Sequence, residues 1–296
     1  MIKKTNPSKS PSNKYYRRGE VVGFEEDQTH EFKGHRNISI EEIPPWCINN
    51  SDNNRTRNAV SRNLCGFLNS GWGGTVYIGI LDGGSVQGVR LTQYQQDHLS
   101  LSLQDAMNAF RPPVPHFMYN TEFIPVLEPQ DKYPCQFIPV PEDVRQQPHY
   151  LRSHSFCWCD YDALGSYHNG IIPLSYVVEI TVLPLNCNDP RVCALMPDFK
   201  IPTSLIFQCE DGQIYFRKHS TLIKYSFCDV EEHTREEVLL YKMPQLMEAW
   251  REWRTYSRLL QLVNEVIARQ KHLHTHITNT NYGYETLKDK MQPKSG

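Results

Sequence analysis

Hydrophobic positions recur with helical spacing in one part of the chain and cluster as in buried strands in another. Residues 55–70 place Val60, Leu64 and Phe67 on one helical face, and "GWGG" ends that segment. The next segment, "TVYIGIL", is rich in β-branched and aromatic residues, as buried strands are. The turn "DGGS" then favours a hairpin in which "VQGVRL" pairs back onto that strand. A second helix is predicted over residues 91–110, where "RPPVP" ends it.

The second half of the chain adds strands first and then a long helix. "SYVVEITVLPL" is a further strand, and "QIYFRKHSTLIKYS" after the turn "EDGQ" predicts a hairpin. The whole pattern predicts an α+β fold, a mixed sheet flanked by helices with a helical C-terminal extension. We expect a flexible basic arm over residues 1–19, a domain over residues 20–233, and a helical extension with a flexible tail over residues 234–296. An apolar stripe on that extension predicts packing in a core or on a partner chain; its members are Leu246, Trp250, Trp253, Leu260, Val263 and Ile267.

Composition limits the class of protein. The 296 residues are 39% hydrophobic and 22% charged, as in ordinary globular proteins, and no apolar run approaches a membrane span. The first 20 residues lack the apolar core of a secretory signal. Nine cysteines are an odd number in a long chain, so we expect no disulfide framework and a reducing, cytoplasmic location.

Charge is balanced over the chain but uneven along it. The net charge is −2, so the protein as a whole has no strong attraction for nucleic acid. The first 20 residues are basic, which suits either phosphate contact or a solvated arm.

The stretch "GFEEDQTHEFKGHR" holds the first candidate site. Alternation along a strand places Glu31 and Lys33 on one face, and Glu26 lies five residues before Glu31. Two carboxylates at one point repel each other unless a cation neutralises them, and oxygen ligands suit Mg²⁺ or Mn²⁺. Solvated surface charge is the alternative interpretation of the same residues.

The glycine-rich stretch "NSGWGGTVYIGILDGGSVQGV" excludes two nucleotide-binding motifs. A dinucleotide fingerprint runs from strand to glycines to helix, whereas here a helix comes first. The Gly-Lys-Ser/Thr of a phosphate-binding loop is also missing, which disfavours a nucleotide-hydrolysing switch. Asp82 follows the strand at the edge of the predicted sheet, where it can join the two glutamates.

Cysteine and histidine spacing indicates a second metal site. Cys157 and Cys159 with Cys187 and Cys193 offer four thiolates for a tetrahedral zinc, and His154 is an alternative ligand. Unpaired structural cysteines are the other interpretation. The histidines of "HLHTH" fall on different helical faces and make a poor zinc motif.

Three segments together resemble the Schlafen AlbA-2 domain. These are "EEDQTHEFKG", the helix "RNAVSRNLCGFLNSGWGG" and the strand and turn "TVYIGILDGGSVQGV". "DGQIYFRKHSTLIKYS" is similar to the closing hairpin of that domain, so the resemblance spans residues 20–240.

The resemblance implies a metal-dependent site that cuts RNA, formed by Glu26, Glu31 and Asp82, with Lys33 beside it. Glu25 competes with Glu26 for the first position, and Leu81 stands where many members have another acidic residue. A structural zinc bound by His and Cys is also implied. Basic residues would hold the RNA backbone; the candidates are Arg36, Arg55, Arg57 and Arg62.

The implied function is endoribonuclease activity on tRNA-like or small-RNA precursors, such as piRNA precursors. A catalytically silent RNA-binding or scaffolding subunit is the alternative. Vertebrate Schlafen cores join two such lobes, whereas this chain has one copy of the motif. The resemblance therefore implies a homo-oligomer, or a hetero-oligomer with related Schlafen-like subunits.

Overall fold

The computed structural model describes residues 14–47, 57–131, 148–186, 189–195 and 205–290. The chain divides into two compact units, Met1–Ser226 and Phe227–Gly296. The second unit thus begins upstream of the helical extension predicted from residue 234.

Six of the described strands form a mixed sheet in the first unit. Five of them follow the order β1-β5-β6-β3-β2, and the sixth, β4, pairs with β6. The outer pairs, β1 with β5 and β2 with β3, are parallel, and β6 is antiparallel to β3, β4 and β5. This α+β architecture confirms the predicted fold class. The strands are β1 Tyr16–Arg17, β2 His30–Lys33, β3 Gly74–Ile78, β4 Val89–Arg90, β5 Tyr119–Leu127 and β6 Ser175–Val182.

Two details of the sheet differ from the sequence prediction. Tyr16 and Arg17 pair with β5 although they fall within the predicted flexible arm. The predicted hairpin after β3 is reduced to an isolated bridge between Ile80 and Val86, and β4 pairs with β6 instead. Gly79 turns the chain away from the ladder, since its φ of +102° is one that side chains rarely adopt.

Helices cover one face of the sheet. The helices of the first unit are α1 Val60–Asn69, α2 Gln93–Ala109, α3 Trp158–His168 and α4 Pro190–Leu195. Thr92 begins α2 with a capping box, in which Thr92 Oγ1 accepts from Gln95 N and Gln95 Oε1 accepts from Thr92 N.

Alternation along the strands builds two hydrophobic clusters. Val76 and Ile78 of β3 point into the larger cluster, which contains α1 and α2, whereas Tyr77 points into a smaller one. Phe32 of β2 also lies in the smaller cluster. Because side chains alternate, the neighbours Glu31 and Lys33 face the other side of the sheet.

A second sheet closes the first unit. Strands β7 Ile214–Lys218 and β8 Thr221–Tyr225 form an antiparallel hairpin that packs on α1. Gly66 permits this contact, because a Cβ there would come within 2.6 Å of Leu222 Cδ1. The hairpin thereby brings Arg217 under α1.

The second unit is a continuous helical segment. It consists of α5 Phe227–Glu237, a π turn Val238–Lys242, and α6 Met243–Lys290. Within residues 14–290, apart from the stretches outside the structure, no helix is long and apolar enough to cross a bilayer. The predicted stripe on α6 is exposed.

Candidate functional site

The parallel pairing of β2 and β3 brings the predicted acidic residues to one edge of the sheet. Lys33 pairs with Ile78, and the next amide, Gly79 N, donates to Lys33 O at 2.8 Å. The chain then turns through Leu81, whose carbonyl accepts from Gly84 N at 2.7 Å. Asp82 therefore lies in the turn that follows β3, beside the end of β2.

Asp82 lies between two clefts. One, of about 460 Å³, is lined by Glu25, Glu26 and Asp82, and we call it the acidic cleft. The other, of about 890 Å³, is lined by Lys33, His35, Arg57 and Asp82, and we call it the basic cleft. Asp82 thus faces carboxylates on one side and cations on the other.

Glu26 rather than Glu25 is coupled to the remaining acidic residues. Glu26 is half-buried, and its Oε1 accepts a hydrogen bond from Phe32 N at 2.8 Å. Burial raises the pKa of Glu26, and the negative charges of Glu31 and Asp82 raise it further. Glu25 is exposed on the rim of the same cleft. Glu26 is therefore close enough to Glu31 and Asp82 for their charges to affect it.

Glu31 is already neutralised by two cations from the protein. Lys33 Nζ donates to Glu31 Oε1, and Arg217 Nη1 donates to Glu31 Oε2 at 2.5 Å. The carboxylate is buried, so it requires such partners. Both of its oxygens are engaged inside the protein.

Arg217 is a component of this site that the sequence did not suggest. Its side chain is fully buried and donates from Nε to Asp27 O at 2.5 Å and from Nη2 to His30 O at 2.8 Å. The guanidinium also lies over the ring of Phe67, 4.9 Å from its centroid. Arg217 therefore fixes the hairpin β7–β8 to the segment that carries Glu26 and Glu31.

The basic cleft contains a largely buried histidine, His35, beside two cations. The pKa of His35 falls to about 4, first because the ring is buried and then because Lys33 and Arg57 lie near it. His35 is consequently neutral at pH 7, while Lys33 and Arg57 carry the positive charge. Arg57 is exposed to solvent at the rim.

The four predicted RNA-binding arginines have different surroundings. Arg57 lines the basic cleft. Arg36 pairs with Asp160 and lines a neighbouring cavity. Arg62 pairs with Asp211 at 2.9 Å and lies over Tyr215, so it contacts the hairpin β7–β8. Arg55 lies outside the described residues.

The structure brings together one group of His, Cys, Asp or Glu ligands within metal-binding reach among the residues it describes. Its members are His98, His149, Cys157 and Cys159, whose ligand atoms all lie within 4.8 Å of one another. Among the described residues, the carboxylates of Glu26, Glu31 and Asp82 do not form such a group.

The His–Cys group has the donors and the burial of a structural zinc site. His98 comes from α2, and Cys157 and Cys159 come from the start of α3. The Nδ1–Sγ distances are 3.6 Å for His149 with Cys157 and 3.6 Å for His98 with Cys159. Burial lowers the pKa of His98 to about 4, so its ring is neutral, as a metal ligand must be. Two nitrogens and two sulfurs suit tetrahedral zinc.

This group overlaps the predicted zinc ligands only in part. Cys187 and the side chain of Cys193 lie outside the described residues, so the four-cysteine set stays a prediction. His154 lines a cavity that His98 also lines, but it is not a member of the His–Cys group. His98 and His149 are not among the predicted ligands. Seven residues separate His149 from Cys157, which matches no common zinc-ligand spacing, and His98 is distant in sequence.

Residues 28–147 match the family model of the Schlafen-like domain of nematodes. The match includes β2, α1, β3 and α2, and with them Glu31, Lys33, Asp82 and His98. Glu26 precedes the matched residues, and Arg217 follows them.

Proposed function

We propose that this chain, whose residues 28–147 match the Schlafen-like domain of nematodes, is a metal-dependent endoribonuclease subunit. Its substrates would be structured or small-RNA precursors, such as tRNA-like or piRNA precursors. The observation that carries the proposal is the position of Asp82, which lines both a cleft with Glu26 and a cleft with Lys33, His35 and Arg57.

Each cleft supplies one requirement of phosphodiester cleavage. Glu26 and Asp82 offer oxygen ligands to Mg²⁺ or Mn²⁺. When bound, such an ion stabilises negative charge on the phosphoryl oxygens and helps to generate the attacking water. Lys33 and Arg57 are placed to hold the RNA phosphates, which dominate affinity for nucleic acid. His35 adds a neutral hydrogen-bonding group beside them.

Glu31 is the third proposed ligand, and its two carboxylate oxygens are held by different partners. Arg217 holds Oε2 at a fully buried site, so that oxygen keeps its protein partner. Oε1 is held by Lys33, whose flexible side chain lies at the edge of the basic cleft. Lys33 is therefore the group that must leave Glu31 Oε1 before this oxygen can take part, and on leaving it can contact phosphate.

A catalytically silent RNA-binding subunit is the second candidate function. It is favoured by the ion pairs that occupy both oxygens of Glu31 and by the separation of the three carboxylates. In that case the basic cleft would still bind RNA, but the acidic cleft would not hold an ion tightly.

A structural zinc at His98, His149, Cys157 and Cys159 is part of the proposal. The ligands join α2 to α3, so bound zinc would fix the two helices together. Assembly with a second copy or with related Schlafen-like subunits is also part of it, supported by the exposed apolar residues of α6. Leu246, Trp250, Trp253, Leu260, Val263 and Ile267 are the residues we expect a partner to cover.

The test is cleavage of end-labelled tRNA and short precursor RNA by the purified chain, alone and with related subunits, in Mg²⁺, in Mn²⁺ and without added divalent ions. We expect cleavage that requires the ion. RNA that is bound in every case but never cut would instead establish the silent subunit. Glu31→Ala is expected to abolish cleavage, and equal cleavage by this variant and the wild type would reject the site.

A further inference from the structure

A separate cavity lies beside the basic cleft. It has a volume of about 310 Å³, which is at the small end of the range for small-molecule sites. The residues that matter for its chemistry are Arg36, Glu42, Trp46, Ser102, Phe156 and Asp160.

The rim carries two aromatic side chains that the fold leaves in water. Trp46 is 73% exposed and Phe156 is 71% exposed, although both line the same cavity. Aromatic rings of this size ordinarily bury most of their surface. Two rings beside one cavity offer flat apolar surfaces on which a planar ligand can stack.

Two buried polar side chains form part of the cavity wall. Glu42 and Ser102 are 8% and 3% exposed, and both line the cavity. Glu42 Oε2 accepts from Ile38 N at 2.7 Å, and the Ser102 hydroxyl interacts with the Glu42 carboxyl. Because Glu42 Oε1 and Ser102 Oγ have almost no accessible surface, the contacts open to a ligand are the aromatic rings of the rim.

A cation completes the cavity and is held in place. Asp160 accepts from Arg36 and, at 2.9 Å, from Gln95 Nε2. This pair fixes the guanidinium of Arg36, whose side chain is still 34% exposed. A fixed and partly exposed guanidinium can stack on a planar ring or contact a phosphate.

The cavity and the basic cleft are neighbours along the chain. His35 lines the basic cleft and Arg36 lines the cavity. In the same way, Cys47 lines the cleft and Trp46 lines the cavity. A nucleic-acid strand whose phosphate contacts Arg57 and Lys33 therefore passes near residues that border this cavity.

We propose that this cavity binds one unpaired nucleobase of a single-stranded RNA segment, and this proposal builds on the RNA function above. Trp46 and Phe156 provide the stacking surfaces, and the fixed guanidinium of Arg36 lies on the same cavity. Unpaired RNA bases are commonly held by stacking on aromatic rings and on arginine guanidinium planes.

The experiment measures the binding of the four nucleoside 5′-monophosphates to the full chain, without added divalent ions. Tryptophan fluorescence gives the affinity, and ribose 5-phosphate is the control ligand because it carries the sugar and phosphate without a base. We expect at least one nucleotide to bind ten-fold or more tightly than ribose 5-phosphate. Equal binding of ribose 5-phosphate and all four nucleotides would overturn the proposal.

Variants locate the binding. Phe156→Ala should weaken the preferred nucleotide about ten-fold or more, as the loss of base stacking does. Trp46→Phe should remove most of the fluorescence change, whereas Trp72→Phe, which alters a ring exposed elsewhere, should preserve it. Unaltered affinity in Phe156→Ala would place the nucleotide elsewhere and reject the cavity.

The outcome is independent of catalysis. Nucleotide binding at this cavity in a protein that never cuts RNA would support the base site and reject the nuclease. Cleavage of RNA by a protein that binds no nucleotide at this cavity would support the nuclease and reject the base site.

Discussion

Arg217 and Glu31 form a buried ion pair across 186 positions of sequence, with Nη1 and Oε2 separated by 2.5 Å. The arginine comes from the hairpin β7–β8, and the glutamate comes from β2. Because the guanidinium also donates to the carbonyl groups of Asp27, before β2, and of His30, the first residue of β2, one side chain holds the acidic site in place.

Removal of this arginine should be strongly destabilising. Arg217→Ala leaves the buried carboxylate with Lys33 as its remaining cation, and breaking a buried pair from one side costs about 3–5 kcal/mol. Urea unfolding followed by circular dichroism measures the loss. Arg191→Ala is the matched control, since Arg191 pairs with Asp189 at an exposed position, and it should leave the free energy of unfolding nearly unchanged. Equal effects of the two substitutions would contradict the role assigned to Arg217.

Glu42 should make stability depend on pH. Burial raises the pKa of Glu42 to about 7, above its ordinary value of 4.5, although the hydrogen bond from Ile38 N opposes this shift. The folded state therefore binds this proton more tightly, and its stabilising contribution is lost as pH rises from 4.5 to about 7. As pH rises from 5 to 8, the free energy of unfolding of Glu42→Gln should therefore increase by about 1–3 kcal/mol relative to that of the wild type. A stability difference that does not change with pH would refute this assignment.

Zinc content should depend on the His–Cys group. We expect about one zinc per purified chain, and Cys159→Ala should lower that content and the melting temperature, because bound metal contributes directly to folding. Elemental analysis measures it, with Cys228→Ala as the control because that cysteine is exposed on α5. Wild-type protein that neither contains nor takes up zinc would remove this part of the account.

The stability of the turn that presents Asp82 should depend more on Gly79 than on Gly83. Gly79 has a φ of +102°, and a Cβ there would approach Gly88 Cα to 3.0 Å. Gly79→Ala is therefore expected to destabilise the protein by about 1–3 kcal/mol. Gly83→Ala, at a position with open space around it, should have little effect. Thermal unfolding distinguishes them, and two equal melting temperatures would contradict the predicted strain.

Local pattern predicted much of the fold and only part of the site. Helical spacing of Val60, Leu64 and Phe67 found α1, and alternation along β2 placed Phe32 opposite Glu31. These features depend on residues close in sequence. The pairing of β4 with β6 was missed, because the turn glycines indicate where the chain turns but not which strand it joins next.

Long-range partners account for what was missed at the site. Nothing near Arg217 in the sequence indicates that it faces Glu31, and His98 meets Cys159 only because α2 packs beside α3. The choice between Glu25 and Glu26 also required the structure, since it depends on the hydrogen bond from Phe32 N.

The most direct test of the central claim is the rate of metal-dependent RNA cleavage by Glu26→Gln compared with Glu25→Gln, in the assembly in which the wild type is active. Both substitutions remove one negative charge from the same cleft, but Glu26 is the one coupled to Glu31 and Asp82. We predict near wild-type cleavage for Glu25→Gln. For Glu26→Gln we predict a larger loss than the roughly 10–100-fold that follows mutation of a residue supporting a metal ligand, since this substitution alters a ligand itself. Undiminished cleavage by Glu26→Gln would contradict the account.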